Sequence, residues 1–303
     1  MKLQDLHVLV TVVHAGSMGK AAQLLNTTQP NVSRSIAELE HTLGVRLLDR
    51  HRQGIEPTEF GRALLDCGAA VFDDLRQGVK NIESLADPTA GEVRIGTTAF
   101  LAASFVSALV DRLTRRYPRI AFHIVTGYLE TLQGELSARN VDLLILRSSG
   151  PITDERLDFE FLFDDSYVVV VGDQNRWVGR RKIEIADLLN ESWVLPPPES
   201  VIGSIVREAF QASGRDYPRV TVVTDSPHMR ISLLATGRFV TIFPASALRF
   251  LTRRSELKVL PVELPMARRP NGIVTLNNRA LSPVARLVID CARELAKPLA
   301  RRK

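Results

Sequence analysis

The sequence predicts an α/β protein in two parts. A helical N-terminal region closes with a β-hairpin and a long helix, and a larger, two-lobed C-terminal region follows. Three observations carry this. Apolar residues recur at helical spacing through nearly all of the first 87 positions. A breaker cluster, Asp87-Pro88-Thr89-Ala90-Gly91, then interrupts the chain. Beyond it, short β-rich runs alternate with helical stretches.

Leu3, Leu6, Leu9, Val10 and Val13 predict a first helix, broken at Gly16-Ser17. Ser17 is a good N-cap for a second helix over 18–25. After a turn at Asn26-Thr27, Thr28 caps a third helix that tolerates Pro30 in its first turn and ends at Gly44. Val32, Ile36, Leu39 and Leu43 share one face of this helix; Pro30, Ser33, Arg34, Ala37 and His41 share the other. Small and basic side chains opposite an apolar stripe suit a helix lying in a nucleic-acid groove. The stripe alone fits a solvated surface helix equally well, and that is the commoner case.

Residues 46–50 and 55–57 predict two short strands joined through Arg52-Gln53-Gly54, a wing with Arg50, His51 and Arg52 near its tip. Thr58 caps a long helix reaching about residue 86. Leu64, Gly68, Val71, Leu75, Gly78, Ile82 and Leu85 alternate along it at spacings of four and three, a heptad seam that predicts pairing of two subunits. The alternative is a core helix within one subunit. The two seam glycines suggest close backbone approach.

Past the breakers, β-rich runs fall at 93–98, 120–127, 141–147, 159–172, 193–195, 220–224, 239–243, 258–264 and 272–276. Helical stretches at 101–117 and 202–211 lie between them. Two similar halves predict a cleft between lobes. A last helix from Ser282 ends in Arg301-Arg302-Lys303, a basic tail expected to be frayed and solvated rather than bound to DNA.

A length of 303 residues suits two domains. With 45% hydrophobic and 24% charged residues, a buried core is expected and the composition argues against disorder. A net charge of +5 and a pI near 9.5 favour a polyanionic partner, though only weakly. Cys67 and Cys291 lie outside any Cys-x-x-Cys spacing, which suits a reducing cytoplasm and predicts neither a disulfide nor a zinc site. The N-terminus reads as an amphipathic helix rather than a signal peptide, and no apolar run is long enough to predict a membrane span.

Enzyme signatures are lacking. There is no Gly-x-Ser-x-Gly elbow. Gly16-Ser17-Met18-Gly19-Lys20-Ala21 has neither the leading glycine spacing nor the hydroxyl residue of a phosphate loop. The six histidines show no metal-binding spacing. No catalytic residue, cofactor or metal is expected.

Residues 21–58 carry a specific resemblance. Thr28-Gln29-Pro30-Asn31-Val32-Ser33-Arg34, then Leu39-Glu40, then Leu43-Gly44-Val45-Arg46-Leu47-Leu48 with Asp49-Arg50, is similar almost position for position to the DNA-binding region of the LysR-type transcriptional regulators. Glu56-Pro57-Thr58-Glu59-Phe60-Gly61 resembles the start of that family's linker helix. The likeness runs on through Gly91-Glu92-Val93-Arg94-Ile95-Gly96, Val141-Asp142-Leu143-Leu144-Ile145 and the segment 236–244, where Arg238-Phe239 departs from the usual second glycine.

The resemblance implies a winged helix-turn-helix over 1–58, a dimerising linker helix over 59–87 and an effector domain over 91–303. That domain would have the fold of type 2 periplasmic binding proteins, with lobe I at about 91–160 and 266–303 and lobe II at about 161–265. It also implies a bacterial, cytoplasmic, nucleoid-associated regulator that binds double-stranded promoter DNA, answers to a small-molecule effector, assembles as a tetramer built from two dimers and meets RNA polymerase. Carried onto this chain, the DNA contacts are Ser17, Thr28, Gln29, Pro30, Asn31, Ser33, Arg34, Arg50 and Arg52. Gln29 and Asn31 suit adenine edges, and Arg34 suits guanine or phosphate. Ser33 is equally readable as a plain surface hydroxyl.

Six basic side chains face five acidic ones in the first 58 residues, so placement rather than bulk charge must drive binding. The expected effector contacts are Thr97, Thr98, Thr126, Gly127, Leu146 and Arg147 from one lobe, and Pro196, Gly203, Ser204, Ser226 and Phe243 from the other. Arg147 would pair with an anionic ligand or with a carboxylate such as Asp142. Two other readings stay open: a solute-binding protein, and an architectural DNA binder with a degenerate second domain.

Overall fold

The computed structural model describes residues 1–51, 54–87, 89–148, 154–251, 256–264 and 269–300. They divide into two compact units, Met1–Lys80 and Asn81–Lys303.

The first unit holds α1 (Leu3–Ala15), α2 (Met18–Leu24), α3 (Gln29–Leu43), strands β1 (Leu48–His51) and β2 (Gly54–Pro57), and most of α4 (Glu59–Ala86). Gly16 and Gly44 close α1 and α3 with φ near +70°, a conformation that favours glycine. The Ser17 hydroxyl accepts from the Lys20 amide (3.2 Å) to start α2. Leu9, Val12, Ala21, Val32, Ile36, Leu39 and Leu47 form one buried cluster that fixes the three helices on each other. Leu43, expected on that apolar face, is instead exposed at the helix end. β1 and β2 pair antiparallel, with Leu48 opposite Pro57 and His51 opposite Gly54. The Glu40 carboxylate accepts the amides of Leu47 (2.7 Å) and Leu48 (3.2 Å), fastening the hairpin to α3.

Thr58 accepts from the Gly61 amide (3.1 Å) and donates to the Arg46 carbonyl (2.7 Å), capping α4 against the wing. The expected seam on α4 divides. Leu64 packs against the helical core, and a Cβ on Gly68 would come within 3.1 Å of Leu6, so this half faces its own subunit. Nothing lies within 4 Å of a Cβ on Gly78, and Leu75, Val79, Ile82 and Leu85 are 55–83% exposed.

The second unit contains two five-stranded mixed sheets. In the first, the order is β4 (Arg119–Thr126), β3 (Ala90–Thr97), β5 (Leu143–Arg147), β12 (Arg269–Leu276), β6 (Leu157–Asp165). β3 runs parallel to β4 and β5, and β12 runs antiparallel to β5 and β6. In the second, the order is β11 (Leu257–Val259), β7 (Tyr167–Gly172), β10 (Phe239–Pro244), β8 (Ser192–Leu195), β9 (Val220–Val223), with parallel pairs β10–β8 and β8–β9. The first sheet packs on α6 (Ser107–Arg116), α7 (Leu129–Ser137) and α11 (Pro283–Ala300). The second packs on α8 (Val201–Ala212), through Trp193 and Phe210, and on α9 (Pro227–Leu234). A short α10 (Ala247–Phe250) follows β10.

Two expected elements are broken. The run 159–172 splits after Asp165, and its halves join different sheets. The helix expected over 101–117 becomes α5 (Ala99–Leu101), a π-helical turn (Ala102–Val106) and α6. Of the run 258–264, only its first two residues lie in a strand.

Candidate functional site

Two surfaces take shape from these elements. On the first unit, α3 buries Val32, Ile36 and Leu39 and turns Gln29, Pro30, Asn31, Arg34, Ala37 and His41 to solvent. The Asn31 amide leans on the Thr27 hydroxyl (3.3 Å), while Ser35 donates to Asp5 of α1 (3.2 Å) and holds the helix in place. Thr28 is exposed and makes no side-chain cap. Ser33 is half-buried, and Ser17 is committed to capping α2. Arg50 lies on β1; Arg52 is outside the described residues, as is the basic tail at 301–303.

On the second unit, a cavity of about 320 Å³ lies between the two lobes. Four helix starts ring it: Thr98 before α5, Tyr128 before α7, Ser200 before α8 and Ser226 before α9. Ser200 and Ser226 cap their helices by accepting the Gly203 (3.0 Å) and Met229 (3.3 Å) amides. Leu101, Leu129, Leu146, Pro196, Ile202 and Pro244 supply the apolar lining. Across the mouth, the Tyr128 hydroxyl of lobe I donates to Asp225 of lobe II, and this bond raises the tyrosine pKa.

Of the residues expected here, Thr98, Thr126, Gly127, Leu146, Arg147, Pro196 and Ser226 line the cavity. Four do not. Thr97 is fully buried and donates to the Ile145 carbonyl (2.6 Å), bracing neighbouring strands. Gly203 lies against Pro197, whose carbonyl would sit 2.1 Å from an added Cβ. Ser204 is exposed outside the cavity lining, and Phe243 is a core residue edge-on to Phe100 at 4.7 Å.

Arg147 does not pair with Asp142. It meets Asp165 at 3.3 Å, stacks on Tyr167 at 4.8 Å and donates to that hydroxyl. Asp165 in turn accepts the amide (3.0 Å) and hydroxyl (2.6 Å) of Ser246, so a buried chain of groups spans the two lobes where β6 passes into β7. Asp142 belongs to Arg279 (2.9 Å) and the Arg94 amide (2.8 Å). The sequence reading missed Asp165, Tyr167, Ser246 and Arg230, all buried by distant parts of the chain.

Among the described residues, no group of His, Cys, Asp or Glu is placed to hold a metal, and no helix is long and apolar enough to cross a membrane. Both cysteines are free, and burial pushes the Cys291 thiol up.

Residues 3–62 match the family described as "Bacterial regulatory helix-turn-helix protein, lysR family", and residues 86–297 match "LysR substrate binding domain". The chain belongs to the LysR family. It is therefore a LysR-type DNA-binding transcriptional regulator. Among named relatives, it is 25% identical to the transcriptional regulator GbpR of Azospirillum brasilense over 303 residues, covering all of this chain and 89% of GbpR. It is 25% identical to the regulator TdcA of Escherichia coli (strain K12) over 293 residues, covering 97% and 93% of the two chains.

The fold of this LysR-type regulator is shared with solved structures. A full-length OxyR variant from Pseudomonas aeruginosa matches with a TM-score of 0.70 at 20% identity, covering 100% of this chain and 99% of that one. The LysR family regulator CbnR matches with a TM-score of 0.64 at 19% identity, covering 98% and 99%. CbnR complexed with its target DNA matches with a TM-score of 0.55 at 20% identity, covering 98% and 100%.

Proposed function

We propose that this regulator binds promoter DNA as an oligomer and that a small molecule held in the interlobe cavity controls that binding. The observation that carries the reading is the cavity itself, apolar within and ringed by four helix starts. In this reading residues 1–58 are the DNA-binding head, 59–87 the linker helix and 91–303 the effector domain. Gln29, Pro30, Asn31 and Arg34 face the major groove with Ser17, Thr28 and Ser33 beside them, and Arg50 and Arg52 anchor the wing. The protein works in the cytoplasm and performs no catalysis.

Leu75, Val79, Ile82 and Leu85 on α4 supply an apolar stripe for pairing two subunits. Effector domains join such dimers into a tetramer that contacts RNA polymerase. Thr98, Thr126, Gly127, Leu146, Arg147, Pro196 and Ser226 contact the effector, whose binding shifts the population between two assemblies that bend DNA differently.

The test is binding of the full-length protein to DNA upstream of its own gene at fixed salt. Arg34→Ala is expected to weaken binding roughly tenfold or more and to flatten its salt dependence. A wild type that binds neither this DNA nor a panel of genomic fragments overturns the reading.

A further inference from the structure

We infer that the interlobe cavity takes an organic monocarboxylate with a largely apolar body, and that Arg230 on α9 is the cation that holds its carboxylate. This rests on the effector reading above and gives that effector its chemical class.

Arg230 lines the cavity, yet only 1% of it is exposed. Its guanidinium lies over the rings of Phe243 (4.7 Å) and Phe100 (5.7 Å). Nε and Nη2 donate to the Thr241 hydroxyl (3.2 and 2.7 Å), and Nη2 also donates to the Ile242 carbonyl. These bonds aim the group. Nη1 has no hydrogen-bond partner among the described residues.

No carboxylate pairs with Arg230 among the described residues. The ionisable groups that bear on it are the two phenols of Tyr167 and Tyr217. Burial pulls its pKa down to about 9, so it stays a cation at neutral pH. Two other largely buried arginines differ: Arg147 has Asp165, and Arg279 has Asp142. A buried cation without a counter-ion is costly, and two ring faces offset only part of that cost.

An incoming anion completes the pair in a water-poor site, where charge-assisted hydrogen bonds are strongest. One unmatched charge selects a monoanion. A second acidic group near the mouth would meet Asp225, which disfavours diacids. At about 320 Å³, the cavity sits at the small end of ligand pockets.

The experiment measures thermal shifts and calorimetric affinities of the full-length protein against matched pairs at millimolar concentration and constant ionic strength. The pairs are benzoate and benzamide, phenylacetate and phenylacetamide, hexanoate and hexanamide. At least one acid is expected to raise the melting temperature while its amide does not. Arg230→Met should weaken that acid by roughly ten- to a hundredfold, and Arg230→Lys should restore part of the loss.

Ala99→Trp, which fills the cavity from an exposed position, should abolish the shift. Acids and amides that bind equally, or acid binding that survives Arg230→Met but not Ala99→Trp, overturn the carboxylate assignment and leave the cavity as the effector site. Binding indifferent to both variants overturns the cavity reading as well. Absence of any shift across the panel overturns the assignment.

Discussion

Glu40 and the Leu47 amide are joined by a 2.7 Å hydrogen bond, with the Leu48 amide on the same carboxylate oxygen. The bond links α3 with the strand that begins the wing, so helix and hairpin are held as one body. Two charge-assisted bonds at a half-buried site contribute about 1.5–3 kcal/mol each. Glu40→Ala should therefore speed hydrogen exchange at Leu47 and Leu48 by roughly tenfold or more, with Glu40→Gln intermediate. Unchanged exchange in Glu40→Ala would show that the core alone seats the hairpin.

The stripe on α4 gives a second prediction. Burying a leucine or isoleucine side chain contributes about 1.5–3 kcal/mol, and a two-fold interface counts each twice. Leu75→Glu combined with Ile82→Glu should weaken self-association by roughly a thousandfold or more. Sedimentation velocity at micromolar protein checks it. A wild type that is already monomeric would remove the seam.

Asp142 and Arg279 form a buried pair, 4% and 2% exposed at their side chains. Removing Asp142 takes away the carboxylate that neutralises Arg279 in this buried pair. Asp142→Ala should cost about 3–5 kcal/mol, a fall of roughly 10 °C in melting temperature for a unit of this size. Asp142→Ala with Arg279→Met should recover most of that fall, because two apolar groups replace the pair. Equal melting of the single and double variants would contradict this.

Tyr167 yields a dependence on pH. Burial, opposed by the nearby Arg147, pushes its phenol up to about 12, against about 10 in the unfolded chain. The folded state thus holds the proton more tightly. Its contribution is complete below about pH 10 and is lost as pH rises towards 12. Over that window the wild type should lose about 2–3 kcal/mol more than Tyr167→Phe. Denaturant unfolding of both proteins at a series of alkaline pH values measures the difference, and parallel slopes would sink it.

The helical head was legible because its punctuation is local. Ser17, Thr28, Pro30, Gly44 and Thr58 mark starts and stops through their own backbone preferences. The cavity was half legible. Thr98 follows β3 directly, Thr126 ends β4 and Ser226 lies just beyond β9, and the ends of parallel strands face the cleft. Thr97 misled because one residue along a strand end exchanges the cleft for the sheet interior.

The break after Asp165 coincides with the polar run Asp164-Asp165-Ser166, which the β-rich reading of 159–172 passed over. Which sheet each half joins depends on distant residues, since Arg147, Ala245 and Ser246 hold the turn. Arg230 carries no local signal, and Phe100 and Phe243, which close over it, come from other elements. The choice of Asp165 over Asp142 as the partner of Arg147 likewise depends on Arg279, which lies 137 residues beyond Asp142.

Gly61 lies so close to the Leu47 carbonyl that an added Cβ would stand 2.1 Å from that oxygen. Thr58 ties the same junction from its other side. The root of the 28-residue α4 is therefore clamped to the wing without slack. A rod of that length, about 42 Å, acts as a lever. Tilting it by one degree at that root sweeps its far end through about 0.7 Å, so a small change of angle at the clamp is magnified along the helix.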